Sequence, residues 1–87
     1  MHVNVKLYAT LRQFAPKGTA IGESFSVALE TAKISEIIEK LGFPKDHARI
    51  IMVNGIRTFD IGQKLSEGDL VVFFPPVGGG GPSSRPL

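Results

Sequence analysis

Apolar and polar positions alternate from the start of the chain, with Val3, Val5 and Leu7 set against His2, Asn4 and Lys6. This period of two predicts a half-buried strand. The same alternation returns at Phe25, Val27 and Leu29, a second strand that makes a hairpin with the first. Between them, residues 9–15 read either as a continuation of the strand or as a short helical turn. Pro16-Lys17-Gly18-Thr19 reads as a loop. The period then changes. Ile34, Ile37, Ile38 and Leu41 fall at i, i+3, i+4 and i+7, with Glu36, Glu39 and Lys40 largely on the other side. That is the stripe of an amphipathic helix. Gly42 ends it and Pro44 bars its continuation. Thr31, Lys33 and Ser35 are candidate caps at its start, and none completes a capping box. Ile50-Ile51-Met52-Val53 predicts a short buried strand, Asn54-Gly55 a tight hairpin turn, and residues 56–59 the returning strand. A turn over residues 65–69 leads into Leu70-Val71-Val72-Phe73-Phe74, a last strand.

The order is two strands, one helix, two strands and a final strand. With one striped helix, the sheet has one face to bury against it. This gives an α+β domain with a mixed sheet packed on one main helix, the β-grasp arrangement. A ferredoxin-like fold needs a second helix, which the pattern lacks. The chain's 87 residues make one small domain over 1–77, followed by a Gly-rich tail over 78–87. The expected core is Val3, Val5, Leu7, Phe25, Val27, Ile34, Ile37, Ile38, Leu41, Ile51, Val53 and one face of 70–74. That last strand is apolar on both faces, Val71 and Phe73 on one and Leu70, Val72 and Phe74 on the other. It is either a central strand covered on both sides or a strand whose second set is partly exposed. Exposed apolar patches mark partner surfaces.

Charge and composition narrow the chemistry. The net charge is +2, and the basic residues form no run, which argues against nucleic-acid binding. Apolar runs fall far short of the ~20 residues that span a bilayer. The N-terminus alternates and lacks the continuous apolar stretch of a signal peptide, so a cytoplasmic location is expected. There is no Cys to staple the fold or act as a thiol nucleophile. His2 and His47 lack metal-ligand spacing, and no nucleophile–base pair is present, so neither a bound metal nor a bound cofactor is expected. Asp69, next to Gly68, reads as turn chemistry. The run Gly78-Gly79-Gly80-Gly81 is not a P-loop, because no Lys-Ser/Thr follows it.

The tail suggests a different role. Pro75 and Pro76 carry the chain off the last strand, and four glycines follow as a thread without side chains. Such a thread is either a flexible linker or a segment slim enough to enter a slot in another protein. Little in 78–87 offers apolar area to bury, so the tail is expected to be mobile. Extended, residues 75–80 would reach up to ~20 Å.

The segment from Glu67 through Gly80, with its core Phe73-Phe74-Pro75-Pro76-Val77-Gly78-Gly79-Gly80, resembles the C-terminal signature of the MoaD/ThiS sulfur carriers, most of all the molybdopterin-synthase small subunit. Val5-Lys6-Leu7-Tyr8-Ala9-Thr10-Leu11-Arg12 and Val53-Asn54-Gly55 resemble that family's first strand and hairpin. The likeness covers nearly the whole chain to Gly80 and implies a ubiquitin-like β-grasp fold. It implies further that an ATP-dependent activating enzyme adenylates a C-terminal glycine and that a sulfur donor converts the adenylate to a thiocarboxylate. The sulfur then passes to the cyclic pterin precursor in the large subunit of molybdopterin synthase. Thiazole, cysteine or another sulfur product is the alternative destination, and a ubiquitin-like modifier joined to lysines is the alternative class. On this reading the chain is not an enzyme by itself. Gly79-Gly80 is the working diglycine and Gly80 the acyl carrier. Phe73, Phe74, Pro75, Pro76, Val77, Gly78 and Arg12 contact partners, with Phe73 or Phe74, whichever faces away from the helix, as the anchor. The family pattern ends at its diglycine, whereas here residues 81–87 follow. Either a protease cuts at Gly80-Gly81, or the activation chemistry is not used.

Overall fold

The computed structural model describes residues 1–76. Five strands and one α-helix follow the expected order: β1 (His2–Leu7), β2 (Phe25–Ala28), α1 (Ile34–Leu41), β3 (Ile50–Val53), β4 (Ile56–Thr58) and β5 (Leu70–Phe74). The strands form one sheet in the order β2-β1-β5-β3-β4. β5 is central, parallel to β1 and antiparallel to β3, so the sheet is mixed. Residues 9–15, open to two readings in the sequence, resolve as a 3₁₀ helix over Ala9–Phe14. A second 3₁₀ turn spans Lys45–His47.

The helix begins without a side-chain cap at Lys33. Its first donors find carbonyls far along the chain instead. Ser35 N–H donates to Ile61 O at 2.8 Å and Ile34 N–H to Gln63 O at 3.4 Å. The loop before β5 therefore does the work that a Ser or Asp cap does elsewhere. Glu36 reaches back to the N–H groups of Glu30 and Thr31, at 2.8 and 2.7 Å, and ties the end of β2 to the helix. At the other end Gly42 takes the left-handed conformation, φ 84°, that a side chain disfavours. Its N–H closes on Ile38 O at 2.9 Å. The turn sends Phe43 back into the core.

The core lies between the helix and one face of the sheet. Val3, Val5, Leu7, Val27, Ile34, Ile37, Ile38, Ile51, Val53, Val71 and Phe73 are buried, as expected; Phe25 and Leu41 are half-buried against them. The expected core left out Leu11, Leu29, Phe43 and Leu65. Phe43 is the junction of an aromatic chain, with ring centroids 5.5 Å from Phe14 and 5.4 Å from Phe73.

Candidate functional site

The end of β5 is the place where the conspicuous residues meet. Its last two carbonyls are both taken: Tyr8 N–H donates to Phe73 O at 3.2 Å and Arg49 N–H to Phe74 O at 2.9 Å. Pro75 and Pro76 have no N–H, so the ladder stops there. The chain thus leaves the sheet from its most firmly held strand, between the ends of β1 and β3. The 3₁₀ helix Ala9–Phe14 lies against β1 and β5 beside this exit.

The register decides which side chains face outward. Lys6, Val72, Met52 and Arg57 lie abreast across four strands. Ile50 and Phe74 form the next row, and Asn4 and Leu70 share a row on the other side. Tyr8 stacks on Phe74, with centroids 4.8 Å apart and planes 7° from parallel. Among the described residues no helix covers this face. Its apolar members Leu70, Val72, Phe74, Met52, Ile50 and Tyr8 are half-buried, shielding one another. The charges in the register rows of this face are Lys6 and Arg57, and no carboxylate lies among them.

Phe74 is therefore the outward aromatic at the base of the tail. Phe73 was expected among the partner contacts and needs correcting: it is 0% exposed, held edge-on by Phe43, and unable to reach a partner in the folded domain. The parity of the strand forces this, because adjacent residues point to opposite faces. Pro75 is half-buried and Pro76 exposed. Arg12 sits on the 3₁₀ helix, half-buried, with one guanidinium N–H on Thr19 O at 3.2 Å. It braces the loop beside the exit. Val77, Gly78, Gly79, Gly80 and Gly81, and the expected mobility of 78–87, lie outside the described residues.

His2 and His47 are exposed and far apart in the fold, at the start of β1 and in the 3₁₀ turn before β3. Among the described residues no three His, Asp or Glu side chains gather as a metal site. No helix among them is long and apolar enough to cross a membrane. Asp69 does serve the turn, accepting from Ser66 N–H at 2.8 Å and from Asn54 Nδ2 at 2.9 Å. Asn54 also accepts from Leu70 N–H at 2.9 Å, which locks the β3–β4 turn to the start of β5. The outward rows were the hardest part of the site to read from sequence. Lys6, Met52 and Arg57 join Val72 through strand pairing alone.

Solved structures share the fold. Subunit 1 and 2 of molybdopterin-converting factor from Helicobacter pylori 26695 were solved as a complex, and a chain of it matches with TM-score 0.58 and 20% identity, over 92% of this chain and 100% of that one. Small archaeal modifier protein 1 of Haloferax volcanii matches with TM-score 0.61 and 24% identity, over 87% of this chain and 98% of that one. The Haloferax volcanii HVO 2177 protein matches with TM-score 0.64 and 23% identity, over 92% and 87%. Among curated proteins no sequence matches the chain. The fold is thus the ubiquitin-like β-grasp that the resemblance to MoaD-type carriers implied. The model of the Mut7-C ubiquitin family matches residues 1–78, from the first strand through the outward Phe74 and into the glycines, and the chain belongs to that family.

Proposed function

We propose that this domain is a sulfur carrier whose reactive group is the carboxylate of Gly80, exposed by cleavage at Gly80-Gly81. The observation that carries the reading is the outer face of β5. A surface of half-buried apolar side chains, with no carboxylate in its strand-paired rows, ends at Phe74, and in the sequence Pro75, Pro76 and Val77 lead from it to the glycines. A partner seated on that face would sit where the chain leaves the sheet. Family membership and the fold shared with a molybdopterin-converting factor chain support the same reading.

The chemistry belongs to partners, and the chain supplies the acyl group. An activating enzyme joins the Gly80 carboxylate to the α-phosphorus of ATP and releases pyrophosphate. Hydrosulfide supplied by a donor then attacks the acyl carbon, the acyl–phosphate bond breaks with AMP leaving, and a thiocarboxylate and a proton remain. The sulfur passes to a pterin precursor held by a large partner subunit. Glycine suits the reacting position because it lets backbone approach backbone closely. Cleavage at Gly80-Gly81 avoids the Gly81-Pro82 bond, whose nitrogen has no hydrogen for a peptidase to position. These steps place the protein in the cytoplasm, with ATP.

The likeness to small archaeal modifier protein 1 favours a second reading, a modifier joined to lysine amines. The two readings share the acyl adenylate and part at the attacking atom, sulfur or nitrogen. Intact-mass analysis of protein purified from its own cells separates them. Loss of residues 81–87 with a gain of ~16 Da, the exchange of O for S at the acyl group, supports the carrier. A ladder of heavier conjugates supports the modifier. An active chain that keeps residues beyond Gly81 rejects cleavage at this point.

A further inference from the structure

The sheet has two outer edges, and they are treated differently. At β2, Leu29 N–H donates to Met1 O at 2.8 Å and the Met1 amine donates to Leu29 O at 3.1 Å. Antiparallel alternation then turns the backbone groups of Ser26 and Ala28 away from β1. The chain itself occupies part of that edge, since Lys40 Nζ donates to Ala28 O at 2.7 Å. A lysine placed there is a common guard against strand addition.

At β4 no described side chain caps the outward edge in this way. The two-residue turn Asn54-Gly55 makes Val53 and Ile56 a hydrogen-bonded pair. Arg57, opposite Met52, then points its N–H and C=O away from the sheet. Among the described residues neither group has a protein partner. Beside this edge runs an open groove of about 410 Å³, lined among others by Arg57, Thr58, Gln63, Lys64 and Asp69. Both oxygens of Asp69 are already engaged, by Asn54 and by Ser66. Asp69 keeps its negative charge but spends both oxygens inside the turn, and the two cations of the lining, Arg57 and Lys64, outnumber that one carboxylate. Two of the most exposed large apolar side chains flank the same strand, Ile56 at 73% and Phe59 at 82%. Ile56 shares the face of Val53, while Phe59 lies under the Arg57 guanidinium, 4.6 Å from its ring centroid.

We propose that the β4 edge and its groove take an extended acidic segment of another protein, added as a further strand. The Arg57 backbone pair supplies the main-chain bonds. Alternate side chains of the visitor fall into the groove beside Ile56 and over the Arg57–Phe59 pair. Carboxylates at those places meet Lys64 and Arg57. A second copy of this chain is the poorer occupant, because pairing β4 with β4 through Arg57 sets like charges opposite one another. The site is at the Val53–Val71 end of the sheet, away from the Phe74 exit, and it stands whether or not the tail carries sulfur.

The test uses the full chain, labelled with ¹⁵N. It is titrated with a blocked Val-Glu-Glu-Val-Glu-Glu-Val peptide, which presents carboxylates on both faces of a strand, and, separately, with its counterpart in which lysine replaces glutamate. The glutamate peptide is expected to give saturable amide shifts confined to residues 56–59 and 63–66, with slowed exchange of the Arg57 N–H. Lys64→Glu, together with Arg57→Glu, should weaken it by about tenfold or more and let the lysine peptide bind. Arg57→Pro removes the outward N–H without removing a ladder bond, and should abolish the shifts in a chain whose spectrum remains folded. If that variant unfolds, Lys64→Glu alone decides by the same loss of affinity. Any of these results overturns the proposal: no saturable shift at millimolar peptide, shifts on β2 or on the outer face of β5, equal binding of both peptides, or dimerisation of the chain through β4.

Discussion

Val71 and Phe73 on one side of β5, and Leu70, Val72 and Phe74 on the other, are equally apolar, yet the first pair is wholly buried and the second trio half-exposed. Hydropathy does not distinguish them. The difference comes from having one helix for two faces. α1 and Phe43 close over the inner side, while the outer side has Tyr8, Lys6, Met52 and Arg57 as its neighbours. Two consecutive phenylalanines therefore hold opposite offices, Phe73 in stability and Phe74 at the surface where the tail begins.

The largest expected effect tests the buried side. Phe73→Ala should destabilise the domain by about 3–5 kcal/mol, the range for a buried aromatic cut to alanine. Ile38→Ala, on the helix surface that meets the same core, should cost about 2–5 kcal/mol. Denaturant midpoints give both values. A cost under about 0.5 kcal/mol for Ile38 would put it on the surface and undo the helix register.

The outer side should behave otherwise. Phe74→Ser removes the stack on Tyr8 and should cost on the order of 1 kcal/mol, leaving a folded chain. If the domain is the sulfur carrier proposed above, the same change should weaken binding to both the activating enzyme and the sulfur-accepting subunit, because buried aromatics often dominate interfaces. Unchanged affinity for both would show that the outer face is not the docking surface. Equal loss of stability for Phe73→Ala and Phe74→Ser would erase the comparison altogether.

Asn54→Ala probes what joins the two faces at the far end of β5. It removes the bonds to Asp69 and Leu70 and leaves alanine at φ 52°. A loss of about 1–2 kcal/mol is expected, and Asn54→Gly should recover the backbone part of it. If alanine and glycine are equally destabilising, the side-chain bonds account for the whole effect.

The strands, the helix and the order of elements were legible in the sequence because each rests on local periodicity. So was the Asn54-Gly55 turn, which rests on two residues that accept positive φ. What was not legible depends on partners distant in sequence. The helix start looked poorly capped because Ile61 and Gln63 supply its carbonyls. Phe43 belongs to no periodic stripe, and its burial follows from the left-handed turn at Gly42 and from contact with Phe14 and Phe73. The outward surface was one of the two readings open for the second apolar set on β5. Its neighbours Lys6, Met52 and Arg57 needed the strand register. The choice between Phe73 and Phe74 needed to know on which side the helix lies.

The smallest expected effect lies on the covered side, at the tie between β2 and the helix. The Glu36 carboxyl is held at about 2, from an ordinary 4.5, chiefly by the N–H of Glu30; burial opposes this, and the Thr31 hydroxyl and N–H and the Lys40 ammonium reinforce it. A carboxylate whose folded pKa lies below its unfolded one binds protons more weakly in the native state, so its contribution is complete above the unfolded value. As pH falls from about 4.5 towards 2, the unfolded chain takes up the proton first and the contribution is lost. The melting temperature should therefore decline over that interval, with other carboxyl groups adding to the decline. Glu36→Gln removes this group's share, and the parent-minus-variant difference isolates it from the rest. That difference should be constant above pH 5 and shrink as the solution is acidified towards pH 2, within about three units of the unfolded pKa. A difference that stays constant down to pH 2 would mean that Glu36 holds Glu30 and Thr31 equally well with its proton on, so that the tie depends on shape and not on charge.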